Sequence, residues 1–207
     1  MKEKFHITIG RQLGSGGREI GLKLASRLEI PFYDKELLRI ASLESGLGKE
    51  FFEEMDEKKS HSIFGGLLDL RTIHSDDFYG NYYLSNETLF KIQSDVIREL
   101  AEKQSCLFIG RCADTVLKEF PDCLNIFISA DLEDRIRRVS TLHKISEEKA
   151  SELIGKTDKK RANYYRFYGN KTWGAAESYH LCINSSVLGI DETVDFIFRY
   201  AEKRFSL

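Results

Sequence analysis

Only two prolines, Pro31 and Pro121, stand in a chain of 207 residues, which together with its ordinary composition argues against wholesale disorder. Cysteine is sparse as well. Cys106, Cys112, Cys123 and Cys182 stand far apart with no Cys-x-x-Cys pair, which argues against zinc and against a disulfide framework and leaves reduced, mostly buried thiols. Cys112 is set apart because it follows Gly110-Arg111 in a stretch that reads as a site. An excess of charge of one sign is missing: 31 basic residues face 33 acidic ones, a net of -2. The overall field therefore neither draws nucleic acid nor repels an anionic metabolite, and any attraction for phosphate must be local. No apolar run is long enough for a membrane span or a signal peptide, since Met1-Lys2-Glu3-Lys4 passes straight into Phe5–Ile9. A cytoplasmic location without membrane or nucleic-acid partners is the expectation. The histidines, His6, His61, His74, His143 and His180, lack partners at metal or triad spacing. No internal repeat or low-complexity tract stands out.

What the chain does contain is the composition of one folded domain, 42% hydrophobic and 31% charged. Short apolar runs alternate with helical periodicity, the signature of an α/β fold with a parallel sheet wrapped by helices. Phe5–Ile9 reads as the first strand, and Ile20, Leu24 and Leu28 as the buried stripe of the helix after it. Ile30–Tyr33 reads as a short second strand ending at Asp34, where ligands of open parallel sheets bind, with a helix through Leu37, Leu38 and Ala41 beyond it. Between about Gly46 and Asn86 the alternation stops. Lys49–Lys59 looks like a charged surface helix, and Ile63–Leu84 is aromatic without a period, so this stretch reads as an insertion able to cover a ligand. Asn86 is a possible cap for a core helix bearing Leu89, Ile92, Val96, Ile97 and Leu100. Cys106–Ile109 and Leu124–Ile128 read as further buried strands, the second followed by the acidic helix start Asp131-Leu132-Glu133-Asp134. Ser146 is placed to cap a polar helix leading into the basic, aromatic stretch Lys156–Tyr168. Leu181–Ile183 is a last strand, and Val194, Ile197, Phe198 and Ala201 mark the closing helix.

The sharpest local signal is Gly10-Arg11-Gln12-Leu13-Gly14-Ser15-Gly16-Gly17-Arg18 between strand and helix. Glycines there let backbone N–H groups converge on a phosphate, and the helix N-terminus adds a favourable dipole. A tight turn needing positive φ is the plainer alternative. The loop also lacks something: the pattern G-x-x-x-x-G-K-[ST] is not met, because Gly17 stands where the lysine would be and Arg18-Glu19 follow. Arg18 is the first cation after the glycines and is expected to replace that lysine in part. A dinucleotide loop, with Asp34 as its ribose acid, fails on spacing because Glu19 stands where a third glycine belongs. Ser15 has no paired base and reads as a loop hydroxyl. Trp173 and the tyrosines Tyr164, Tyr165 and Tyr168 read as packing groups. Arg135 and Arg138, three apart on one helix face, and Arg161 are either a solvated basic face or charge for a transferring phosphoryl.

Taken together, Ile7-Thr8-Ile9 with Gly14-Ser15-Gly16-Gly17-Arg18-Glu19-Ile20, Phe32-Tyr33-Asp34, Gly110-Arg111-Cys112-Ala113-Asp114, Phe120-Pro121-Asp122, Lys159 to Tyr165 and Ile183-Asn184-Ser185-Ser186 resemble the bacterial cytidylate kinase-like family. The resemblance spans nearly the whole chain. It implies a three-layer P-loop kinase-like domain with a core at about 1–45, 86–140 and 178–207, a nucleoside-monophosphate-binding insertion at about 46–85 and a lid at about 141–177. It implies transfer of the γ-phosphoryl of ATP, with Mg2+, to CMP, dCMP or a related acceptor. Carried over by position, Gly14, Ser15, Gly16, Gly17, Arg18 and Glu19 hold the nucleotide, Arg18, Arg135 and Arg161 serve transfer, and Asp34, Arg39, Arg111 and Asp114 bind the acceptor. The family's Gly-Arg-Asp motif ends in Cys112 here, with Asp114 the nearest acid, and Ile109 stands where the true kinases have an acid. Two other readings stay open: a kinase of a non-nucleotide small molecule, and a nucleotide-binding regulatory protein without catalysis.

Overall fold

A computed structural model describes residues 4–34 and 85–207, together with positions 38, 40, 41, 43 and 46. The expected surface helix at Lys49–Lys59, the aromatic stretch Ile63–Leu84 and the acceptor-site residue Arg39 lie outside the described residues. The chain divides into two compact units, one made of Met1–Lys35 with Ile97–Leu207 and the other of Glu36–Val96. The first carries the sheet. Positions 38, 40, 41 and 43 of the second are helical, as the pattern of Leu38 and Ala41 predicts.

The strands are β1 (His6–Arg11), β2 (Phe32–Tyr33), β3 (Cys106–Ile109), β4 (Cys123–Ser129) and β5 (Leu181–Asn184), ordered β2-β3-β1-β4-β5 and paired in parallel throughout. The expected α/β fold, a parallel sheet flanked by helices, is thus what forms. Helices α1 (Gly17–Arg27), α2 (Ser85–Lys103), α3 (Ala113–Val116), α4 (Leu132–His143), α5 (Glu147–Gly169) and α6 (Ser185–Phe205) connect or follow the strands. Because every strand-to-strand connection is a crossover, all strands end on the same side, and loops at that side are where such sheets bind ligands.

Side-chain alternation decides what packs where. Ile7 and Ile9 are fully buried and join Ile20, Leu24 and Ala25 of α1 and Val194, Ile197 and Ala201 of α6 in the main core. Gly21 lets α1 lie close on this face, since a Cβ there would come within 2.6 Å of Ile109 and 3.3 Å of Ile9. A second, smaller core joins Val139 of α4 to Ala150 and Ile154 of α5, with Leu13 of the glycine loop packed against it. Ser146 caps α5 as its position predicts, its hydroxyl accepting from the Lys149 N–H at 3.3 Å.

His6, on the opposite face of β1, is a core residue, 2% exposed and edge-on to Phe120 at 5.3 Å. Its Nδ1 has no hydrogen-bond partner among the described residues. Burial lowers its pKa to about 4, with Lys4 adding to the shift and Asp122 opposing it. The unfolded chain, with a histidine pKa of 6.5, binds a proton that the native state refuses. Stability contributed by neutral His6 is therefore full above pH 6.5 and is lost as pH falls toward about 4. Urea denaturation across that window is expected to show a smaller loss in His6→Leu than in the parent, by at most about 1 kcal/mol per pH unit. Parallel profiles would mean that His6 is solvated.

Candidate active site

The glycine loop leaves β1 at Arg11 and enters α1 at Gly17, at the carboxyl end of the central strand. Gly14 (φ 78°) and Gly16 (φ 74°) take left-handed conformations, which side chains resist. Space forbids side chains as well: a Cβ on Gly14 would lie 2.7 Å from the Arg135 carbonyl oxygen, and one on Gly16 would lie 2.4 Å from Ile190 Cδ1.

The direction of the loop's peptide groups is fixed by what binds their carbonyls. The Arg11 oxygen accepts from Arg161 Nη1 (3.1 Å), Leu13 from Arg135 Nε (2.7 Å), Gly14 from Arg138 Nη1 (3.1 Å) and Ser15 from the Ser185 hydroxyl (2.7 Å). Gln12 accepts from the Ser15 hydroxyl at 2.9 Å, and Gly16 from the Ile20 N–H at 2.9 Å. Six consecutive carbonyls are thus held by protein donors. The N–H groups of Gly14, Gly16, Arg18 and Glu19, by contrast, meet no acceptor among the described residues. A cluster of unpaired N–H donors at a helix N-terminus is a site for an anion.

Arg135 is 6% exposed, and besides Leu13 it ion-pairs through Nη2 with Asp158 of α5. Asp158 in turn accepts the Leu13 N–H at 2.9 Å. One carboxylate thus fixes both a buried cation and the loop's backbone. The Gln12 side chain accepts from the Ala130 N–H at 3.2 Å and ties the loop to the end of β4. Of the three arginines expected near a transferring phosphoryl, Arg135 and Arg161 are brought to the loop as clamps on its carbonyls.

Arg18 points elsewhere. Its guanidinium binds Asp34 at the end of β2, with Nη2 at 2.7 Å and Nε at 2.9 Å, and lies 5.7 Å from the Phe32 ring centre. The expected nucleotide-side cation and the expected acceptor-side acid are therefore partners. Glu19, in the same turn, faces Lys23 at 3.1 Å.

At the end of β3, Gly110, Arg111 and Cys112 are all left-handed, with φ of 72°, 57° and 53°. For the two side-chain-bearing residues this costs on the order of 1 kcal/mol each, strain of the kind that collects at ligand sites. The Arg111 guanidinium lies 5.9 Å from the Tyr164 ring centre. Cys112 is buried, which pushes its thiol up to about 12 and keeps it an unreactive thiol. Asp114 is 5% exposed and accepts from the Tyr165 hydroxyl at 2.6 Å and from Lys171 Nζ at 3.4 Å. Burial, followed by the Asp114 carboxylate, raises the Tyr165 pKa, so this phenol stays a donor. Trp173 packs edge-on against Phe127 at 5.1 Å, and Tyr164 sits 4.7 Å from Tyr168, as expected of packing groups.

Residues 6–187 match the cytidylate kinase-like family. The chain belongs to that family. It is a kinase-like P-loop protein. Comparison with curated proteins yields no match. Among solved structures, an uncharacterized protein from Eubacterium ventriosum is 28% identical, with a TM-score of 0.72 over 96% of this chain and 99% of its own. Shikimate kinases share the fold at lower identity. That of Bacteroides thetaiotaomicron is 14% identical with a TM-score of 0.54, covering 98% of this chain and 99% of its own. That of Acinetobacter baumannii, in complex with shikimate, is 13% identical with a TM-score of 0.53, covering 98% of this chain and 95% of its own.

Sequence reasoning assigns no role to Asp158, Gln12 or Ser185, although Gln12 lies in the glycine loop and Ser185 in the segment Ile183-Asn184-Ser185-Ser186 that carries the resemblance. Asp158 carries one usable signal: it lies three residues before Arg161 in a helical stretch, so both fall on one face.

Proposed function

We propose that this protein transfers the γ-phosphoryl of ATP to a nucleoside monophosphate, with CMP and dCMP the first acceptors. The observation that carries the reading is the set of N–H groups at Gly14, Gly16, Arg18 and Glu19 that meet no acceptor among the described residues, opposed by carbonyls that are all held from behind. Such donors, fixed before the ligand arrives, suit charge that grows on phosphate oxygens. In the reaction an acceptor phosphate oxygen bonds to the γ-phosphorus, the bond from that phosphorus to the β-bridging oxygen breaks, and ADP leaves.

Gly14 to Glu19 hold the donor phosphates. Arg135 and Arg161 position the loop, and Arg18 stabilises the transferring group. Asp34, Arg39, Arg111 and Asp114 are the acceptor-side residues that the family resemblance implies. A magnesium ion brought with ATP would neutralise phosphate charge, and Glu19, the first-turn carboxylate that here faces Lys23 at 3.1 Å, would be the residue to hold its waters. The insertion at about 46–85 and the segment at about 141–177 serve as acceptor cover and lid. Among the described residues no helix is long and apolar enough to cross a membrane; a cytoplasmic placement is part of the proposal.

A second reading, a kinase of a non-nucleotide small molecule, is favoured by Cys112 and Ile109 standing where acids are expected. The test is ADP release with ATP and magnesium across the common monophosphates and a panel of small hydroxy compounds. Turnover with CMP or dCMP is the expected result. Turnover only with a non-nucleotide acceptor selects the second reading, and ATP binding without any turnover selects a regulatory role.

A further inference from the structure

The loop lacks a lysine at position 17, and Gly17 packs against the stem of Arg11. Arg11 is the last residue of β1 and continues the row of Ile7 and Ile9 on the face covered by α1. Gly17 lies directly against it: a Cβ on Gly17 would come within 2.6 Å of the Arg11 Cβ and 3.2 Å of its Cγ. A side chain at 17 and the stem of Arg11 are therefore mutually exclusive. From there the guanidinium reaches the end of β3, where Gly110 makes room for it; a Cβ on Gly110 would lie 2.2 Å from Arg11 Nη1. Arg11 is half-buried, its carbonyl is held by Arg161, and its stem is wedged under the first turn of α1. A guanidinium so placed is at the carboxyl ends of the adjacent strands β1 and β3, next to the loop that enters α1 at Gly17.

We propose that Arg11 supplies the cation that the loop lacks at position 17, binding β- and γ-phosphate oxygens of the nucleotide from beneath α1. The inference rests on the nucleotide-kinase reading above and adds a residue to it. A planar guanidinium offers two parallel donors to a phosphate where an ammonium offers a point charge. The exchange of lysine for glycine at 17 and the presence of arginine at 11 are then one change: the cation enters from the strand and the helix gives up the side chain.

The test is calorimetric titration of wild type, Arg11→Ala, Gly17→Lys and Arg11→Gly/Gly17→Lys with ATP and with AMP, alongside melting temperatures. Arg11→Ala is expected to weaken ATP about tenfold or more and to leave AMP nearly unchanged, because the lost contacts are to the outer phosphates. The double variant Arg11→Gly/Gly17→Lys is expected to melt above Gly17→Lys alone, since the nearest clash at 17 is with the Arg11 Cβ, 2.6 Å away, which alanine would keep, and to regain part of the ATP affinity. Should Arg11→Ala fail to fold, Arg11→Gln keeps most of the stem, removes the charge and is expected to give the same ATP-specific loss. Equal ATP affinity in wild type and Arg11→Ala, or equal losses for ATP and AMP, would overturn the proposal while leaving the kinase reading in place. Wild type that binds neither nucleotide would overturn both.

Discussion

Asp158→Ala is expected to destabilise the protein by about 3 to 5 kcal/mol, the range for stranding one member of a buried ion pair. The Arg135 side chain is 7% exposed and its Nε is committed to the Leu13 carbonyl, so the guanidinium cannot turn to water when its carboxylate is removed. The same truncation orphans the Leu13 N–H, which Asp158 accepts at 2.9 Å. The losses are not additive, because both relax through the same loop. Urea denaturation measures the effect. The variant Arg135→Met/Asp158→Leu is expected to recover most of the stability, as apolar replacements of buried pairs often do, without recovering nucleotide affinity, because neither side chain can hold Leu13. If Asp158→Ala lies within about 1 kcal/mol of wild type, water reaches Arg135 and the clamp is not one.

That contrast marks the limit of what the sequence discloses. The elements follow from local rules: β1, β3 and β4 from apolar runs, α1 from Ile20 and Leu24, and α5 from its Ser146 cap. Where boundaries differ, the reasons are local too. The second strand, expected at Ile30–Tyr33, is Phe32–Tyr33, because Pro31 has no N–H to donate and joins the ladder only through its carbonyl, which accepts from Leu107 at 2.8 Å. The closing helix starts at Ser185, well before the apolar stripe from Val194, and Gly189 breaks its regularity with φ 76° and ψ 178°. The first-turn glycines of the loop are legible because their constraint is steric and lies within a few residues. Their supports are not: Leu13 and Asp158 are 145 positions apart, and Ser15 and Ser185 are 170. No periodicity encodes a carbonyl held from that distance. Arg18 shows the same limit, since adjacency to the glycines says nothing of the Asp34 carboxylate that receives it.

Arg18→Ala is expected to lower turnover by on the order of a hundredfold, the scale of losing one transition-state donor, while the melting temperature barely moves. The small thermal effect follows from exposure: the Arg18 side chain is 64% exposed in its pair with Asp34, and such pairs contribute at most about 1 kcal/mol. The same weakness allows the guanidinium to exchange Asp34 for a phosphoryl oxygen at little cost once both substrates are bound. Because it begins in the first turn of α1 and ends at the tip of β2, Arg18 spans the donor loop and the acceptor strand. Its loss should therefore fall on kcat rather than on ATP affinity, the reverse of what is expected for Arg11. Arg18→Lys, which keeps the charge but not the planar fork, is expected to restore only part of the rate. Asp34→Ala separates the alternatives: if Arg18 merely orders Asp34, the two single variants and the double variant lose the same factor. If Arg18 acts on the transferring group, the double variant is slower than either single one. Near-wild-type turnover in Arg18→Ala would leave the exposed salt bridge as the whole of its role.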